Sequence, residues 1–523
     1  MSINKLSHKD SHHSLIKSTS ILSLGTLSSR ILGFIRDIIV AKLLGTGFKA
    51  DAFFVASKIP NLFRDLVGEG AMNAAVVPVL SEYKEKEDSK AFWEFAGALL
   101  ALSLIVLSVI TILGIIAAPV IVRVIAPGFM ADPEKLTLTI NLTRFMFPYL
   151  VFIGLTAYSM GILFTFRSFV VPAFSPCLLN IAMIVAALAY SWTMQDPVLG
   201  LAVGVLIGGV LQLVAQWIPL TRMGMSCRRP KTLFHPGAIK IGKLLIPRML
   251  GSGVYQLSIL IDTFCASLSS IVGQGGISAI YYANRIIQAP MGIFGVAMAS
   301  AVLPTLSGLF HRNEVDSLKR TIVFSLENIF FVMCPSTVIL VLISEPIIRV
   351  FFERGEFGLY STTITSSALS YYALGLLSFG GIKILVSAFY ALQDTKTPAI
   401  VAAFCLGVNA TLNFILMYPL KVGGIALASA IAGTADFLIL FYILDRRLGG
   451  FDADLFRYFL KVFTAAVMSG VVIFLLWHYL TFIPEILRFV IIGVVWICVY
   501  GAICLALRIE QAHKIWGWIS NKK

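Results

Sequence analysis

Residues Ala96–Pro119 read AGALLALSLIVLSVITILGIIAAP, 24 positions without one charged side chain. At 1.5 Å per residue a helix over this run is about 36 Å long, enough to cross the roughly 30 Å hydrocarbon core of a bilayer. Val462–Leu480 is a second such run, and apolar windows recur along most of the 523 residues. Read against the polar breaks, the windows give fourteen candidate spans: 20–44, 52–80, 93–118, 138–164, 172–193, 198–221, 244–269, 276–308, 321–343, 362–390, 398–417, 423–443, 459–480 and 487–508. The composition agrees: 58% of residues are hydrophobic and only 13% are charged, about half the charged share of a soluble domain. The expected class is an all-α integral membrane protein with about 14 transmembrane helices, leaving no room for a separate soluble catalytic domain. Cys177, Cys227, Cys265, Cys334, Cys405, Cys498 and Cys504 occur singly, which suits buried thiols better than a disulfide framework. His8, His12 and His13 sit in a polar, basic N-terminal stretch that reads as a solvated tail rather than a metal site or a cleaved signal peptide.

With the N-terminus placed inside, 25 of the 41 lysines and arginines fall in loops on the cytoplasmic side and seven on the other. Basic residues favour the cytoplasmic face, so both termini are expected there. The net charge of +14 then needs no nucleic-acid partner, because much of it lies against anionic headgroups.

The first twelve spans contain a duplication. Val77-Pro78-Val79-Leu80-Ser81 matches Leu303-Pro304-Thr305-Leu306-Ser307, Pro119 matches Pro346, and Pro172 matches Pro398, all at offsets of 226 or 227. An even number of spans per copy gives parallel repeats, related by an axis along the membrane normal. The expected organisation is a tail (1–19), an N-lobe of six helices (20–221), a cytoplasmic linker (222–243), a C-lobe of six (244–443), two further helices (444–508) and a second tail (509–523).

Nine basic residues remain within spans or at their edges. Lys42, Arg144 and Arg248 lie near span ends, where long side chains can reach water. Arg30, Arg36, Lys58, Arg64, Arg285 and Lys383 are deeper, where a charge costs about 2.5–3.5 kcal/mol on the insertion scale. Asp51, Lys58, Asp65 and Glu69 are spaced 7, 7 and 4 apart and so share one helical stripe. Pairing between helices accounts for Asp37 and part of the Asp65/Glu69 group. A hydrated cationic cavity at the repeat interface accounts for basic residues drawn from both repeats, and it would take an anionic ligand such as phosphate. Pro60, Gly68, Gly70, Pro290, Gly292 and Gly295 place hinges in the same spans.

From Ser29-Arg30-Ile31-Leu32-Gly33-Phe34-Ile35-Arg36-Asp37 onward the chain resembles the MurJ (MviN) lipid II flippase family. The likeness continues through Asp51-Ala52-Phe53-Phe54, Lys58-Ile59-Pro60-Asn61-Leu62-Phe63-Arg64, Gly68-Glu69-Gly70, Tyr281-Tyr282-Ala283-Asn284-Arg285 and Gln393-Asp394-Thr395-Lys396-Thr397-Pro398. The resemblance implies the multidrug/oligosaccharidyl-lipid/polysaccharide exporter fold, with an N-lobe and a C-lobe around a central cationic cavity in the bacterial inner membrane. It also implies the substrate, undecaprenyl-pyrophosphate carrying a disaccharide-pentapeptide, and a role in peptidoglycan synthesis and cell shape. Cell-wall synthesis proteins are the partner class. The family's required arginines map to Arg30, Arg36, Arg64 and Arg285, with Asp51 at a motif carboxylate. Lys58, Glu69 and Lys383 complete the candidate substrate-binding set. Relatives often carry Asp before the span-8 arginine, where this chain has Asn284. Some relatives bind a monovalent cation in the second lobe, for which Asp262, Asn409, Asn413 and Ser429 are the candidates here, with a single carboxylate among them. No cofactor is expected, and the driving force is membrane potential or an ion gradient.

The rivals are a flippase for another polyprenyl-linked oligosaccharide of O-antigen or capsule type, a drug exporter, and a membrane glycosyltransferase. A drug exporter calls for an anionic cavity, against the basic excess. A glycosyltransferase calls for an acidic centre in a sizeable outer loop, and the longer outer loops, near 118–137 and 344–361, are short.

Overall fold

The computed structural model describes residues 3–67, 73–225, 232–233, 235–451 and 454–520, without the side chains of 3–19, 63–67, 73–75, 246–252, 255 and 519. Among the described residues every regular element is helical. The chain divides into two compact units, residues 1–256 and 257–523.

The first unit opens with α1 (Ile3–Leu44), which takes in residues expected as a tail. No proline or glycine precedes Gly25 to stop the helix earlier. The expected span 52–80 is divided between α2 (Phe48–Val67) and α3 (Asn73–Lys86). α4 (Ser89–Ile125) starts where the Asp88 carboxylate accepts from the Ala91 amide at 2.7 Å, an N-cap, and runs 37 residues. A 3₁₀ turn, Pro127–Ala131, leads to Asp132, whose side chain accepts from the Lys135 amide and, with Pro133 following, starts α5 (Pro133–Met146). Phe147-Pro148 separates α5 from α6 (Tyr149–Thr165). α7 (Val170–Thr193) and α8 (Pro197–Arg222) then pack closely. Gly200, Gly204 and Gly208 make that approach achievable, since a Cβ on Gly204 would lie 2.7 Å from the Met183 Cα. α9 (Pro236–Ser267) crosses from the first unit into the second. Its first turns bury Ala238 and Ile241 in a first-unit core with Val76, Leu80, Phe95, Tyr158 and Leu220. Lys240 pairs with Glu82 of α3 at 2.6 Å. Lys240 first, and then Lys86, hold the Glu82 carboxyl below its ordinary range.

The second unit continues with α10 (Ser269–Val272) and α11 (Gly276–Pro290), a π-helical turn over Met291–Gly295, and α12 (Val296–His311). There follow α13 (Val315–Leu342), α14 (Ser344–Phe352), α15 (Leu359–Ala373) and α16 (Leu376–Ala391), the last two meeting at a 45° bend. Asp394 caps α17 (Lys396–Leu420), accepting from the Thr397 amide at 3.0 Å and from its hydroxyl at 2.7 Å, and pairs with Arg447 at 2.6 Å. The Thr397 bonds, with Arg447 behind them, hold the Asp394 carboxyl down at about 2. Arg447 belongs to α18 (Val422–Leu448), joined to α17 through Lys421 at φ 52°. A Cβ on Gly424 would fall 2.1 Å from the Leu416 carbonyl oxygen, so the two helices meet backbone to backbone. α19 (Asp454–Tyr479), α20 (Glu485–Ala506) and α21 (Glu510–Ser520) complete the chain. α21 lies in the stretch expected as a tail, and its Ala512, with Ile509 just before it, joins a core with Cys334, Val462 and Cys504.

Among the described residues ten helices are long and apolar enough to cross a membrane, or eleven if the bent pair α15–α16 is one span. The expected spans 20–44, 52–80 and 244–269 are not among them. The first carries Arg30, Arg36, Asp37 and Lys42, the second is split between two helices, and the third includes side chains outside the description.

Candidate functional site

In the first unit, α1 and α7 assemble a polar cluster around Arg36. Its Nε and Nη2 donate to Asp37 Oδ1 at 3.0 and 2.7 Å, and Nη1 donates to Asn180 Oδ1 at 3.1 Å. Asn180 in turn donates to the Ser29 carbonyl at 3.2 Å, tying α7 back to α1. The Arg36 side chain is 14% exposed and Asp37 is buried, so the guanidinium is oriented by a fixed carboxylate. Arg30, about two turns earlier, is exposed.

Asp51 lies on the first turns of α2, buried, with Oδ2 at 2.8 Å from the Lys135 Nζ of α5. The same ammonium stands 4.3 Å from the centroid of the Phe129 ring. Lys135, sorted by sequence among the outer-loop basics, is therefore buried and paired. Asp132-Pro133 was the available signal, because a cap followed by proline puts Lys135 in the first turn of a helix. Lys58 lies half-buried on α2. The Arg64 side chain and Glu69 lie outside the described residues.

In the second unit, Arg285 is half-buried on α11, five residues before Pro290 and the π-helical turn. Asn284 beside it accepts from Gln288 Nε2 at 3.3 Å. Lys383 is exposed on α16. The four cation candidates converge from three helices. Asp262 of α9 accepts from Asn413 Nδ2 at 2.8 Å and from the Ser429 hydroxyl at 3.0 Å. Asn409 Nδ2 donates to Ser429 at 3.1 Å, and Asn413 Nδ2 also reaches Asn409 Oδ1 at 3.2 Å. Among the described residues the buried Asn413 Oδ1 has no hydrogen-bond partner. The cluster thus offers one carboxylate, an amide oxygen and a hydroxyl, all hard oxygen donors. Among the described residues no three His, Cys, Asp or Glu side chains are grouped as metal ligands.

The chain is similar to known proteins along most of its length. The family model for "Lipid II flippase MurJ" matches residues 40–493. A probable lipid II flippase MurJ of Haemophilus influenzae is 35% identical over 519 residues, covering 93% of this chain and 99% of that protein. One from Rhizobium tropici is 38% identical over 468 residues, covering 88% and 87%. Among solved structures, a lipid II flippase MurJ in an inward closed conformation superposes with a TM-score of 0.79 at 27% identity, over 93% of this chain and 98% of that one. An inward-facing multidrug resistance MATE transporter of the MOP superfamily reaches 0.70 at 17% identity over 83% of this chain, a likeness of fold alone. With the family model spanning most of the chain and relatives above 30% identity along nearly its whole length, this protein belongs to the MurJ family of lipid II flippases.

Proposed function

We propose that this chain is a lipid II flippase, moving undecaprenyl-pyrophosphate-linked peptidoglycan precursor from the inner to the outer leaflet of the bacterial plasma membrane by alternating access. It is a transporter and not an enzyme. The observation that carries the reading is the family match over residues 40–493, on a helical fold that keeps Arg36 and Arg285 half-buried within it. The anionic head of the substrate is read by Arg30, Arg36, Lys58 and Arg64 of the first unit and by Arg285 and Lys383 of the second, with Asp51 and Glu69 orienting their basic neighbours. Arginine suits a pyrophosphate because its planar fork can donate two parallel bonds.

The reading includes fourteen spans in two parallel six-helix repeats, 20–221 and 244–443, followed by two more helices, with both termini cytoplasmic. Support for the repeat comes from the helix starts: α5, α6, α7 and α8 begin at 133, 149, 170 and 197, and α15, α16, α17 and α18 at 359, 376, 396 and 422, offsets of 225 to 227. The Asp262–Asn409–Asn413–Ser429 cluster is read as a site for a monovalent cation, with Asp262 supplying the charge and Asn413 Oδ1 and Ser429 Oγ the neutral donors. Cell-wall synthesis proteins are its partners.

Depleting the protein in growing cells should trap lipid II on the inner leaflet. In purified proteoliposomes, Arg285→Ala should insert normally but fail to move a fluorescent lipid II. If depletion traps a different polyprenyl-linked precursor, the O-antigen or capsule reading replaces this one.

A further inference from the structure

α18 shows two faces. Ile431, Leu438 and Tyr442 form its exposed stripe, and Ile425, Ala432, Leu440 and Leu444 its buried one. Helical spacing places Ser429 and Asp436 on the buried stripe, three or four residues from Ala432 and Leu440. Asp436 is half-buried there, well inside a helix long and apolar enough to cross the membrane. Among the described residues its Oδ1 is buried and has no hydrogen-bond partner.

Among the described residues, the helices packed on α18 bring it no counter-charge. α17 presents Val401, Cys405, Asn409, Asn413 and Met417 on one buried line. Asn409 bonds Ser429 across the α17–α18 seam, and one turn along α17 Cys405 lies within electrostatic reach of Asp436. Between Lys396 and Lys421 that helix has no charged residue, and α15, also packed on α18, has none. α16 contributes Lys383 alone, which is exposed, and α11 contributes Arg285, whose helix touches α18 at its start, where Gly276 lies against Val422. α13 also meets α18, the Phe330 and Phe437 rings standing 6.2 Å apart, and its nearest charged residue, Glu327, accepts from Gln511. Among the described residues the titratable group within electrostatic reach of Asp436 is the Cys405 thiol. A bare carboxylate in such a place costs several kcal/mol unless it is paired, hydrated or neutralised.

We infer that Asp436 is a proton-binding site, which takes one proton from water on an oxygen of its carboxylate and returns it to water. The site continues the polar seam that starts at Asp262, about two helical turns along α18 from Ser429. It stands whether or not the Asp262 cluster binds a cation. In its neutral form the group becomes a hydrogen-bond donor, able to use acceptors in the seam that a carboxylate cannot.

Dicyclohexylcarbodiimide tests this on the full-length protein in proteoliposomes, because it modifies protonated carboxyl groups in apolar surroundings. Peptide mass spectrometry should find the adduct on Asp436 near neutral pH, with labelling falling as the pH is raised and unaffected by Na⁺. Infrared difference spectra should show the carbonyl stretch of a protonated carboxylic acid, and Asp436→Asn should remove it. Asp436→Asn, which mimics the neutral form, should keep the wild-type melting temperature. Labelling suppressed by Na⁺ would overturn the inference in favour of a metal cation. Absence of both the adduct and the infrared band in the wild-type protein would overturn it outright, whatever the stability of the variant.

Discussion

Replacing Lys135 by Met leaves the Asp51 carboxylate buried at 2% exposure, with its ammonium partner at 2.8 Å removed. At that distance and an effective dielectric near 20, the gross attraction is about 6 kcal/mol. Desolvation offsets most of it, so an intact buried pair is worth little more than two well-packed apolar groups, whereas stranding one member costs about 3–5 kcal/mol. At about 2–4 °C per kcal/mol for a unit of this size, Lys135→Met should melt about 6–20 °C below the wild type in detergent. The exposed Lys49 of α2 supplies the control, since Lys49→Met should change little. The double variant Asp51→Asn/Lys135→Met should recover most of the loss, because no uncompensated charge remains. Flipping then separates two roles for Asp51. A double variant that is stable and active makes Asp51 a structural partner of Lys135, and one that is stable but inactive keeps it in the substrate-reading set. If Lys135→Met melts with Lys49→Met, the pair does not hold α2 to α5 and the reasoning fails.

Arg36→Lys keeps the charge but cannot reach both Asp37 and Asn180, so it should lose about 1.5–3 kcal/mol of stability and only part of its flipping rate, against complete loss in Arg36→Ala. Gly424→Ala should cost about 3 kcal/mol or more by overpacking the α17–α18 contact, while Gly407→Ala, with open space around the new Cβ, should be neutral or slightly stabilising; thermal melts compare the two. The depressed Asp394 carboxyl contributes stability above about pH 4 that is lost as pH falls towards 2, so melting should be insensitive to this group from pH 8 to 5. Asp394→Ala should remove about 1 kcal/mol across that range, and a wild-type loss already complete at pH 5 would contradict it. For orientation, cysteines at Lys86 and Arg446 should escape an impermeant thiol reagent in intact cells and one at Glu356 should react; the reverse pattern would invert the topology.

The helices were legible because their signals are local. Apolar runs, Asp132-Pro133 before α5 and Asp196-Pro197 before α8 mark starts that need no knowledge of the rest of the chain. Breaks inside the expected spans were harder to read. Phe147-Pro148 and Leu374-Gly375 interrupt 138–164 and 362–390, but proline and glycine are so common in membrane helices that neither stood out. The stretch 509–523 follows the last apolar span and so carries no membrane signal of its own. Its apolar residues at 509, 512, 515, 516 and 519 nonetheless carry a helical period, and the first two are packed into the second unit.

The polar groups were recognised as out of place, yet their partners were not, and the reason is separation along the chain. Arg36 finds Asn180 across 144 residues, Lys135 finds Asp51 across 84, and Asn413 finds Asp262 across 151. Period counting says which face of a helix a charge occupies, and says nothing of which helix that face meets. The family resemblance named the four around Asp262 only as candidates for a cation site, and the structure brings them into one cluster. Lys135, Asn180 and Asp436 belong to no motif quoted from the sequence. Each came to light through what surrounds it: a carboxylate for Lys135, a guanidinium for Asn180, and for Asp436 a buried oxygen without a donor. In lipid, a charged group must be matched by a partner, by water or by a change of protonation. The first was found for Arg36, Lys135 and Asp262, and for Asp436, which has none among the described residues, the inferred answer is the third.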